Sequence, residues 1–124
     1  MKEEQKRELI KDIRSKQEQL EDEFYTKRRE FNEKLALFNQ TNRQLGQFYQ
    51  ETNAKVNLVL KKMDSAPEYY SKAEKLNSQL QEMTNDIYQR EQRSLVNNWE
   101  EYEHSYRRQK INLEDKLSKL QMEK

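Results

Sequence analysis

"KKMDSAPEYYSKAEKL", residues 61–76, holds the single proline of a 124-residue chain, and the reading of this stretch decides the fold. Ser65 offers a side-chain oxygen to the free N–H groups of a helix start. Glu68, three residues on, completes a capping box, and Pro67 suits a first helical turn. The residue before a proline avoids helical backbone, so a helix arriving from the N-terminal side stops short of it. The stretch predicts one helix over about residues 3–63, a turn at 64–66, and a second helix over about 67–122 that runs back along the first.

Working outward, apolar residues recur at helical spacing on both sides. Phe24, Phe31, Phe38 and Leu45 stand seven apart before the proline. Tyr69, Ala73, Leu76, Leu80, Met83 and Ile87 follow it in alternating steps of four and three, as a coiled-coil seam requires. Trp99, Tyr106, Leu113 and Leu120 continue at intervals of seven. With one glycine in the chain, little interrupts either helix. The expected fold is all-α, a long antiparallel helical hairpin forming a two-helix coiled coil, with residues 1–124 as one domain.

Folding about the turn sets Ile10 against Leu120, Ile13 against Leu117, Phe24 against Tyr106, Phe31 against Trp99, and Leu35 against Leu95. Nearer the bend the apolar pairing shifts slightly, to Leu45 with Ile87, Tyr49 with Met83, Val56 with Leu76, Val59 with Ala73, and Met63 with Tyr69. The shift falls beside Gly46 and reads as a stutter or local kink. The expected hairpin core is therefore Ile10, Ile13, Phe24, Phe31, Leu35, Leu45 and Val56 on the first helix. The second contributes Leu76, Met83, Ile87, Leu95, Trp99, Tyr106, Leu113, Leu117 and Leu120. Gln17, Lys27, Thr52, Glu91 and Gln109 interrupt this seam, which points to marginal stability without a partner.

Charge thins out toward the bend. Residues 1–34 carry twenty charged side chains, whereas residues 35–60 carry only Arg43, Glu51 and Lys55. Apolar residues there exceed one stripe: Leu37, Phe48, Leu58 and Leu60 lie beside or behind the expected seam. On the second helix Tyr70, Tyr88, Val96 and Tyr102 likewise fall off its centre. One reading is a wide intramolecular seam with stray exposed groups; the other is that these eight residues bind further helices, from another protein or from a second copy.

The rest of the composition narrows the function. Acidic and basic residues are mixed along a chain of net charge +1, so no single-signed field draws nucleic acid or an anionic membrane. No apolar run is long enough to insert into a bilayer, and no signal-peptide pattern opens the sequence. Absence of cysteine removes disulfides and thiolate sites and fits a cytoplasmic protein. "EYEH" at 101–104 has the Glu-x-x-His form found in di-iron bundles, but Glu101 and His104 turn well away from the Trp99–Tyr106 stripe. No catalytic, metal or cofactor residues are assigned, and the chain is read as a non-enzyme. "YSKAE", Tyr70 to Glu74, has the Y-x-x-x-[DE] form of a type VII export signal, a pattern common by chance in such a chain.

The hairpin architecture, the mid-chain turn and the second arm "YQREQRSLVNNWEEYEHSYRRQKINLEDKL" resemble the small helical proteins encoded beside LXG toxins of Firmicutes. The turn "DSAPE" lacks the Trp-x-Gly of WXG-type secreted hairpins, and the one tryptophan lies far along the second arm. The resemblance implies an adaptor or targeting chaperone that binds the helical N-terminal domain of an LXG-type toxin for type VII secretion. It also implies a cytoplasmic location with co-export alongside the toxin, and room for a second small helical partner. A self-associating scaffold, two hairpins forming an antiparallel four-helix bundle, is the alternative.

Overall fold

The computed structural model describes residues 2–122. The chain is a helical hairpin of α1 (Glu3–Lys62) and α2 (Pro67–Met122), two long helices packed against each other. Glu3 and Glu4 open α1, Lys61 and Lys62 close it, and Glu68 stands in the first turn of α2. These charges oppose the helix dipoles with the favourable sign. Helix α1 runs unbroken through Gly46, where an added Cβ would meet nothing within 4 Å. Packing therefore makes no demand for glycine at that position.

The bend differs from the expected capping box. Asp64 takes a left-handed conformation, φ 51°. The Ser65 amide donates to the Leu60 carbonyl at 3.1 Å, and the Asp64 amide donates to the Lys61 carbonyl at 3.1 Å. This is a Schellman closure, with Asp64 in the place usually held by glycine. Ser65 thus completes the end of α1 and does not cap α2. The residue preceding Pro67 is Ala66, whose carbonyl accepts from the Tyr69 amide at 3.0 Å. With Ala66 as N-cap, Glu68 stands one position too early for the reciprocal bond of a capping box. Asp64→Gly should raise stability by about 1 kcal/mol, because glycine meets no Cβ penalty in this backbone region. Chemical denaturation should show a higher midpoint at unchanged slope.

The helices form two compact units, the bend unit Lys34–Leu95 and a terminal unit made of the chain up to Glu33 and from Val96 onward. The terminal unit is built as its sequence suggests. Ile13 is its buried residue, at 8% exposure, and Ile10, Leu20, Phe24, Phe31, Leu113, Leu117 and Leu120 are half-buried around the same seam. An aromatic cluster fills its middle. Phe24 stacks on Tyr106 with ring centroids 4.1 Å apart, and Phe31 stacks on Trp99 at 5.1 Å. Ring stacks of this kind add to the stabilisation from the area they bury.

Tyr102, expected on a partner surface, instead joins that cluster, 5.7 Å from Trp99 and 6.4 Å from Phe24. Val96 is half-buried as well. The apolar stripe of α2 is wide enough here to bring both into the seam. The Tyr102 hydroxyl is out of contact with solvent and has no hydrogen-bond partner. Burial, then the nearby Glu23 carboxylate and Tyr106, push its ionisation above the usual phenol value of 10.0. A raised folded-state value means its contribution is intact below pH 10 and is lost as pH rises through that value. Tyr102→Phe should be neutral or slightly stabilising at pH 7, since it removes an unsatisfied hydroxyl, and should flatten the alkaline fall in stability. Thermal melts of both proteins at neutral and strongly alkaline pH read the difference.

A candidate helix-docking face in residues 34–95

In the bend unit the seam is mixed, with Asn, Thr, Gln and Tyr outnumbering its aliphatic residues. Its half-buried positions on α1 are Leu35, Phe38, Asn39, Asn42, Tyr49, Thr52, Asn53 and Leu60. On α2 they are Tyr70, Ala73, Asn77, Thr84, Tyr88, Gln92 and Leu95. Phe38 stacks on Tyr88 with centroids 4.9 Å apart. The Tyr88 hydroxyl donates to Asn39 Oδ1, and the Tyr49 and Thr84 hydroxyls share a hydrogen bond of 2.6 Å. Thr84 in turn donates to the Leu80 carbonyl at 2.8 Å. These bonds fix the register of the two helices while burying little apolar area.

The residues expected to form the core here are displaced from it. Leu45, Val56, Leu76, Met83 and Ile87 are all exposed, with Leu76 at 60% and Met83 at 61%. The cause lies in helix geometry: a seven-residue repeat falls short of two full turns by about 20°, so a heptad stripe on a straight helix drifts steadily around it. Along α1 the series Phe38, Leu45, Thr52, Val59 runs from half-buried Phe38 to exposed Val59, with Thr52 still half-buried at the seam edge between exposed Leu45 and Val59. The seam is taken over by Asn42, Tyr49, Asn53 and Leu60. Conversely, Leu60, Tyr70 and Tyr88, expected on the partner surface, lie in the seam.

The displaced residues form a surface of their own. At about 100° per residue, Leu37, Leu45, Phe48, Val56, Val59 and Met63 make a stripe on α1 roughly 90° from its seam. Tyr69, Leu76, Leu80, Met83 and Ile87 make a matching stripe on α2, at a similar offset from its own seam. Because the helices are antiparallel, equal offsets of the same sense place both stripes on one side of the unit. The other side is more polar: Asn42, Gly46, Tyr49, Ser78, Gln81, Glu82, Thr84 and Asn85 line a shallow groove there, and Leu45, at the seam edge of the α1 stripe, lines it too. Leu58 is also exposed, at 53%, but stands behind the α1 stripe.

Of the eight residues expected to bind a partner, then, Leu37 and Phe48 belong to the apolar face and Leu58 is exposed beside it. Sequence reasoning assigned Leu45, Val56, Val59, Met63 and the α2 stripe to the seam and so missed them as surface. The signal that could have found them was the file of Asn, Thr and Tyr at seam spacing, which already supplied an alternative interior. Lys72 borders the face, its ammonium 5.9 Å from the Tyr69 ring centroid.

Glu101 and His104 are both exposed on α2, and among the described residues no group of three or more His, Cys, Asp or Glu could hold a metal ion. No described helix is long and apolar enough to cross a membrane. Comparison with family models, with curated proteins and with solved structures gives no match for this chain.

Proposed function

We propose that the protein is a non-enzymatic helical adaptor, and that the apolar face of the bend unit docks on helices of a protein partner. One observation carries this reading: ten large apolar side chains, leaving aside Leu45 in the groove, lie exposed on one side of a unit whose own seam is rich in Asn, Thr and Tyr. Apolar patches of this extent on soluble proteins mark interaction sites, and paired stripes at helical spacing are recognised by other helices. Burial of the stripes supplies affinity, while the few flanking charges, such as Glu51, Lys55 and Lys72, set register and partner choice.

The resemblance to the helical partners of LXG toxins gives this partner a chemistry. The adaptor binds the helical N-terminal domain of an LXG-type toxin in the cytoplasm and presents it for type VII secretion, with co-export as one consequence. Co-expression with such a domain tests it. The two proteins should co-purify, and Phe48→Glu combined with Met83→Glu should abolish co-purification while circular dichroism stays that of the wild type. Equal recovery of the charged variant, or no complex with the wild type, would sink the reading.

A further inference from the structure

We infer that the apolar face of the bend unit is covered, in the free protein, by the same face of a second copy, giving an isologous four-helix arrangement. The inference rests on the docking face used above but makes self-association the resting form that any other helical partner must displace.

Three observations favour a second copy as the occupant. The first is area. The two exposed stripes present on the order of 1,000 Å² of apolar surface, against the roughly 800 Å² per partner of a standard stable interface. The second is geometry. Stripes about 90° from the seam face straight out of the hairpin, so a single helix in the groove between them covers only their inner flanks, whereas an identical hairpin meets each stripe with one of the same spacing. A two-fold axis then closes all four helices around one core. The third is charge. The chain carries a net +1, and along residues 35–60 the three charges are Arg43, Glu51 and Lys55. No strong like-sign field therefore opposes the meeting of two copies.

The bend unit also needs such a cover. None of its residues is buried, and its half-buried interior is largely Asn, Thr, Tyr and Gln. A unit of that composition exposes too much of its chain to be stable alone, and a second hydrophobic layer is the remedy open to it.

Sedimentation equilibrium of the full chain at about 1–100 µM, a range that brackets ordinary homodimer affinities, tests the inference. The expected mass is that of a dimer, with dissociation toward the low end. Leu76→Glu with Leu80→Glu should weaken the dimer by about a hundredfold or more, since charges would be buried at the centre of the contact. Leu80→Gln, which nearly keeps the volume, guards against misfolding of the double variant and should weaken it by about tenfold. Glu82→Gln, on the polar side, should leave the mass unchanged. A monomer throughout the range, or a dimer that neither face variant weakens, overturns the inference. The adaptor reading is judged separately by co-purification: a monomer that still captures the toxin domain defeats only the dimer, and a dimer that captures nothing defeats only the adaptor.

Discussion

Trp99→Ala should destabilise the terminal unit by about 3 kcal/mol, the low end of the range for truncating a large aromatic because the side chain is half-buried rather than sealed. The indole stacks on Phe31 at 5.1 Å and lies 5.6 Å from Phe24 and 5.7 Å from Tyr102. Its removal therefore strips contacts from three rings at once. The loss is large where Ile13 is the one buried residue among those described. Thermal unfolding followed by circular dichroism should shift down by about 10 °C. A shift within a degree or two would mean that the cluster contributes little beyond the helices it joins. Trp99→Phe, which keeps a ring in the stack, should recover at least half of the loss.

The opposite effect is expected in the bend unit. Stepping from the Tyr49–Thr84 hydrogen bond toward the bend brings Asn53 on α1 and Asn77 on α2 into the seam, both half-buried. Neither side chain makes a hydrogen bond to another part of the chain comparable to that of Asn39 with Tyr88. Asn53→Leu with Asn77→Leu should stabilise the unit by about 2 kcal/mol, since two half-buried leucines remove apolar area from water where amides remove none. Native-state hydrogen exchange should show the gain as slower exchange confined to amides of residues 34–95. Exchange that stays unchanged, or quickens, would show that the asparagines do more for the seam than their burial indicates. If the apolar face is a docking surface, partner binding should survive this change, because the substituted side chains point into the seam and not onto the face.

The sequence made the helices and the bend legible because they depend on local signals. One proline, one glycine and long runs of good helix formers leave few places for a helix to stop, and the chain reverses between Lys62 and Pro67. The terminal unit was legible too, since its apolar stripe and its seam coincide. In the bend unit they part, and a rule that looks for hydrophobic periodicity finds the stripe and misses the seam. Leu45, Leu76 and Met83 satisfy the heptad pattern as well as Phe24 and Trp99 do. The difference lies in Asn39, Asn42, Asn53, Asn77 and Thr84, polar residues that the pattern passes over. The bend was placed correctly but its chemistry was not. A left-handed aspartate and a six-to-one amide bond depend on backbone geometry, whereas Ser-x-x-Glu is a match in letters alone.

The placement of the tryptophan also decides what an optical experiment sees. The chain's one indole sits in the aromatic cluster of the terminal unit, and the bend unit has none. Tryptophan emission, excited at wavelengths where the bend-unit tyrosines Tyr49, Tyr69, Tyr70 and Tyr88 do not absorb, is therefore a reporter of the terminal unit: it follows the melting of that cluster and carries no probe on the apolar face. A titration with a partner free of tryptophan, monitored by Trp99 emission alone, would return a flat line even at saturation, and a flat line would be misread as no binding. Phe48→Trp in a Trp99→Phe background moves the lamp to the exposed face at 57% accessibility, where occlusion by a partner shifts the emission toward the blue.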